Sequence, residues 1–111
     1  MKRISIPSAN GYVFLSLDEI IYCSAEKSYT SIKTTTGAVI MASKNIGHIE
    51  KLINDNQFFR AHKSYLINLK YLSELNQSDG AQLVMSNDEI IPLARDRRKL
   101  FIKTVVNGGT L

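Results

Sequence analysis

Short runs of β-branched and aromatic residues, cut by recurrent turn signals, leave this chain little room to fold other than as a β-rich domain. Asn10-Gly11, Thr36-Gly37, Asp79-Gly80 and Ser86-Asn87-Asp88 are turn sequences spread along its length. Between them Ile4–Ile6, Tyr12–Leu15, Ile20–Ser24, Tyr29–Lys33, Val39–Met41, Tyr71–Leu75, Gln82–Met85 and Glu89–Pro92 read as strands. The last two, joined by Ser-Asn-Asp, form the clearest hairpin, and Pro92 closes it because proline has no N–H to give to a ladder.

Helical period appears in only two places. Ile46, Ile49, Leu52 and Ile53 make one apolar stripe, with Ser43 as the expected N-cap. A second helix is expected from Arg95 to Val106, with Phe101 and Val105 one turn apart and Lys99 and Lys103 on the opposite face. Gly108-Gly109 then ends it, so residues 1–107 read as one domain and 108–111 as a frayed tail. A helix-turn-helix needs adjacent helices, and a zinc finger needs Cys and His ligands that are missing. If such a chain reads DNA, its strands or the loops between them must enter the groove.

The totals narrow the function further. With 44% hydrophobic and 22% charged residues in 111, the chain is globular and long enough for one core-bearing domain. Its apolar runs are too short to span a membrane, and no secretion leader is expected at its start. Cys23 is the only cysteine and lies in an apolar run, which suits a buried thiol in a reducing cytoplasm.

Catalytic chemistry finds little support. His48 and His62 have no nucleophile or carboxylate at a suggestive spacing, and His48 is expected on the outer side of a helix. The acidic neighbours Asp18-Glu19 and Asp88-Glu89 would point to opposite faces of a strand, which makes no converging dyad. The glycines form no phosphate-cradling loop. No enzyme activity, metal or cofactor is expected.

The charge distribution points elsewhere. The net charge is +4, but residues 60–70 carry +3 and residues 95–103 carry +4, leaving an acidic remainder of −3. Two basic patches on an acidic body suit an anionic partner, although an ordinary solvated surface would account for either alone. Three segments concentrate exposed polar chemistry. In Glu26-Lys27-Ser28-Tyr29-Thr30, a tight connection between strands, Lys27 and Ser28 offer donors and Tyr29 an amphipathic ring. In Phe58 to Leu69, apolar anchors on both sides would hold Arg60, His62, Lys63 and Ser64 outward as a donor array, while Asn68 reads as a local backbone hydrogen-bonder. In Leu93 to Lys99, Arg97 and Arg98 open a helix whose N-terminus can meet phosphate, and Arg95 could reach a guanine edge.

Taken together, these segments resemble the LytTR family of bacterial DNA-binding domains. The resemblance runs from about Ile4 to Val106 and rests on Asp18-Glu19-Ile20-Ile21-Tyr22, Tyr29-Thr30, the run Phe59 to Leu69, and Ile91-Pro92-Leu93-Ala94-Arg95. Two positions depart from the family pattern. Lys63 stands where Arg or Asn is familiar, and Ala94 where Ser usually precedes the Arg. Lys63 keeps the charge without the planar fork, and Ala94 loses a hydroxyl.

The resemblance implies an elongated β fold of about ten strands whose loops insert into successive major grooves. It puts Tyr29, Lys63 and Arg95 at the readers of the first, second and third loops; from the donor chemistry of the same segments, Lys27, Ser28, Arg60, His62, Ser64, Arg97 and Arg98 are expected at the DNA backbone. It also implies an output domain of a two-component transcriptional regulator that binds direct-repeat promoter sites. A receiver domain in a longer protein, or a second copy on DNA, would then be a partner. The competing expectation is a basic protein-interaction module that docks an acidic partner.

Overall fold

The computed structural model describes residues 2–78 and 80–108. It contains three antiparallel sheets. β1 (Arg3–Ser8) and β2 (Gly11–Ser16) form a hairpin. A central sheet has the order β5-β4-β3-β7-β6, made of β3 (Ile20–Glu26), β4 (Tyr29–Thr34), β5 (Val39–Ala42), β6 (Phe58–His62) and β7 (Tyr65–Asn68). The third sheet joins β8 (Leu72–Asn76), β9 (Gln82–Met85) and β10 (Ile90–Pro92). The molecule is elongated, with extents of 42 × 30 × 23 Å.

Side chains alternate across the central sheet, and each of its faces carries a core. On one face Cys23, Ile32, Phe58 and Leu66 meet Ile4, Ile6 and Leu15 of the hairpin and Ile46, Ile49 and Ile53 of helix α1 (Ile46–Ile53). On the other, Tyr22, Phe59, Ala61 and Ile67 meet Leu83, Met85 and Ile91 of the third sheet, with Phe101 and Val105 of the C-terminal helix. That helix starts as a 3-10 turn (Arg95–Arg97), becomes α-helical as α2 (Arg98–Phe101), and widens to a π-helix (Ile102–Val106).

The expected strands are all present, although Tyr71–Leu75 shifts to Leu72–Asn76 and the strand expected from Glu89 begins at Ile90. Four details differ from expectation. The α1 N-cap is Asn45, whose side chain accepts from the His48 amide at 2.9 Å, and not Ser43. Asp18 and Glu19 lie in a 3-10 turn (Leu17–Glu19), where the Glu19 carboxylate accepts from the Ser16 amide at 2.8 Å. Phe58–His62 and Tyr65–Asn68 are strands that local alternation does not reveal, being buried on both faces. The helical segment after Ala94 opens without a side-chain cap and as a 3-10 turn. Asp79, and the expected tail from Gly109 onward, lie outside the described residues. No helix among the described residues is long and apolar enough to cross a membrane.

Candidate nucleic-acid interface

Antiparallel pairing fixes where the polar segments go. Because β3 runs antiparallel to both β4 and β7, the β3–β4 turn and the β6–β7 turn emerge at the same end of the central sheet. A backbone bond from the Ala25 amide of β3, just before the first turn, to the Ser64 carbonyl of the second ties this end together at 2.8 Å. The first turn is Lys27-Ser28, both exposed, with Tyr29 at the start of β4 exposed by 51%. Lys27 has φ of +58°, left-handed backbone that costs a non-glycine residue about 1 kcal/mol or more.

The second turn owes its shape to a β-bulge. Arg60 pairs with Leu66 and His62 with Tyr65, so Ala61 is an extra residue on β6. The bulge is bound to the third segment, since the Ala61 carbonyl accepts the Ala94 amide at 2.8 Å. The same end of the molecule therefore carries all three segments. A cleft of about 420 Å³ between the second and third is bordered by Glu50, Arg60, His62, Lys63, Ala94, Asp96 and Arg97.

Within this frame the side chains divide into two groups. Lys63, Arg95 and Arg98 are exposed, and Ser64 is half-buried. Nδ1 of half-buried His62 accepts from the Ser64 amide at 3.1 Å, which leaves Nε2 as the protonated nitrogen of the neutral ring. Arg60 is fully engaged within the protein, and half-buried Arg97 is engaged through Nε. Arg60 donates to the carbonyls of His62 at 3.0 Å and Lys63 at 2.7 Å, and to Glu50 at 2.7 Å. Arg97 donates from Nε to the Arg60 carbonyl at 2.9 Å, and its guanidinium lies 5.1 Å from the centre of the Phe59 ring. The expectation of Arg60 as an outward donor is therefore corrected, because all three of its nitrogens already have partners. Glu50, on α1, escaped the sequence reading; it is ten positions from Arg60, and no local periodicity connects them.

The remaining chemistry is structural. Asn68 is fully buried and donates to the Leu17 and Ile20 carbonyls. A hydrogen bond from Gln57, then the Lys70 ammonium, holds the Asp18 carboxyl below its usual range. Burial pushes the Cys23 thiol up to about 12. Burial also raises Tyr22, helped by its bond to Glu89. Among the described residues, no group of three or more His, Cys, Asp or Glu could hold a metal ion.

The LytTr DNA-binding domain family model matches residues 10–105. The chain is 25% identical over 99 residues to the sensory transduction protein LytT of Bacillus subtilis (strain 168), covering 87% of this chain and 41% of that protein. It is 20% identical over 101 residues to LytT of Bacillus anthracis, covering 89% and 41%. Its span is thus well under half the length of these curated relatives. Its fold matches a solved LytTr DNA-binding domain from Bacillus cereus with a TM-score of 0.77 at 17% identity, over 93% of this chain and 95% of that one. With a family match over residues 10–105 and a matching fold, this chain belongs to the LytTR family of DNA-binding domains.

Proposed function

We propose that this domain reads duplex DNA in a sequence-specific way, as the output module of a bacterial response regulator, by placing its turns in successive major grooves. The observation that carries the reading is the backbone linkage of three donor-bearing segments at one end of the central sheet, through Ala25–Ser64 and Ala61–Ala94. In this reading Tyr29, Lys63 and Arg95 approach base edges. Lys27, Ser28, His62, Ser64, Arg97 and Arg98 meet phosphates and fix the register, Arg97 through the terminal nitrogens that its Nε bond leaves available. The long relatives support a further domain in the whole protein, which we take to be a receiver. Direct-repeat promoter sites would then seat two copies.

Selection from a random duplex library at stated salt tests the reading, with sequencing of the retained pool. A recurrent motif is expected, and Arg95→Ala should weaken binding to it by about 1–3 kcal/mol while relaxing one base position. A module that docks acidic proteins would also bind in a salt-dependent way but would enrich no motif. That outcome would exclude the proposal.

A further inference from the structure

We infer that Arg60 is a positioning residue for the β6–β7 turn, and that Glu50, the α1 acid that accepts from it, is required for tight DNA reading. The inference rests on the DNA-binding proposal and goes beyond it, because it gives a role to a residue whose charge is wrong for contact with phosphate.

The argument starts at the bulge. Inserting Ala61 shifts the register between Arg60 and His62, and the chain turns at Lys63-Ser64 directly after the His62–Tyr65 pair. One guanidinium closes on both of them, at 3.0 and 2.7 Å, and on the Glu50 carboxylate at 2.7 Å. A planar fork with several fixed donors can hold three acceptors at once; the lysine ammonium at the end of a flexible stem cannot reproduce that geometry. Glu50 is itself held, because α1 is anchored by buried Ile46, Ile49 and Ile53. Order therefore passes from the helix core through Glu50 and Arg60 to the backbone that carries Lys63. On the other side, Arg97 grips the Arg60 carbonyl and stacks over Phe59, fastening the third segment to the same strand.

As a source of stability the Arg60–Glu50 pair counts for little, since its side chains are 23% and 43% exposed. Its effect is conformational: a loosened turn must be ordered again when DNA binds, and that cost appears as lost affinity.

Charge gives the test its sign. Removing an acid close to a phosphate-facing surface should tighten binding on coulombic grounds, whereas loss of the clamp should weaken it. We would measure binding of Glu50→Gln, Arg60→Lys and Arg60→Ala by fluorescence anisotropy over a KCl series. The probes are a duplex enriched by selection and a scrambled duplex of equal length. Glu50→Gln should weaken specific binding about two- to fivefold, leave scrambled binding unchanged or slightly tighter, and preserve the salt slope. Arg60→Lys should be as weak as Arg60→Ala despite keeping its charge. Specific binding by Glu50→Gln that equals or exceeds wild type would overturn the inference. So would a salt slope reduced by about 0.9 in Arg60→Ala, the signature of one lost phosphate contact.

Backbone order parameters for residues 62–65 in the DNA-free protein separate this inference from its parent. They should fall in Glu50→Gln even if no motif is ever selected, and unchanged values would refute the clamp on their own.

Discussion

Asn68 is closed to solvent, yet its amide is used completely. Nδ2 donates to the Leu17 and Ile20 carbonyls at 3.2 and 2.8 Å, while Oδ1 accepts from Gln57 and from the Lys70 amide at 3.1 and 3.0 Å. One side chain thereby ties the end of β7 to the turn that opens β3. Replacing it with alanine leaves these buried partners unmet, so Asn68→Ala should cost about 2–3 kcal/mol in urea denaturation. Asn68→Asp keeps the shape but loses both donors and should cost at least as much. A bonding role for this residue was readable from sequence, because asparagine beside an apolar run tends to bond locally. Its reach to residues some fifty positions away was not, since only the folded register brings those carbonyls near. Cys23 makes a second prediction at this scale. Its folded pKa of about 12 lies above its ordinary 9.0, so the folded form holds the proton more tightly than the unfolded chain. Its contribution is constant below about pH 9 and is lost as pH rises from there toward 12. Cys23→Ala should flatten the alkaline slope of stability, and an unchanged slope would assign that loss to other groups such as Tyr22.

At the scale of elements, α1 shows which local signals can be trusted. Most of its apolar stripe was legible: Ile46, Ile49 and Ile53 are buried as the period demands, whereas Leu52, read as part of the same stripe, is exposed. Each is worth about 1.5–3 kcal/mol by burial, against about 1 kcal/mol for a cap, so packing fixes the helix and the cap only trims its start. The cap was therefore the weaker signal. Ser43 and Asn45 are both good capping residues, and the choice between them depends on where the chain leaves β5. Asn45→Ala should lower stability by about 1 kcal/mol in thermal or urea unfolding, while Ser43→Ala should change it by less than about 0.5 kcal/mol. Equal losses would contradict the assignment. Strands β6 and β7 were harder to see because Phe58-Phe59 and Leu66-Ile67 feed a core on each face, which erases the alternation that marks a half-buried strand. The Ala61 bulge leaves no local mark at all, although it shapes the candidate interface.

Over the whole molecule, Lys63 and Arg95 lie 32 positions apart in sequence and reach one end through the strand pairing and the Ala94–Ala61 backbone bond, whereas Lys70 of the first basic segment does not. The donor types in each basic segment were plain from composition, whereas the division between outward and inward arginines required the fold. Arg95 and Arg98 are exposed, but Arg60 and Arg97 serve neighbouring carbonyls. The opposite end of the central sheet supplies an internal control. The β4–β5 turn around Thr36-Gly37 and the residues after β7, such as Lys70, lie there, and Lys70 adds a positive charge that proximity-blind electrostatics would favour. Amide shift mapping of the 15N-labelled protein during titration with a selected duplex compares the two ends directly. Perturbations should cluster at Lys27, Ser28, Lys63, Ser64, Arg95 and Arg98 and spare Thr36, Gly37 and Lys70. Shifts centred on the β4–β5 turn and Lys70, or spread evenly over both ends, would contradict a single reading face built from the three segments.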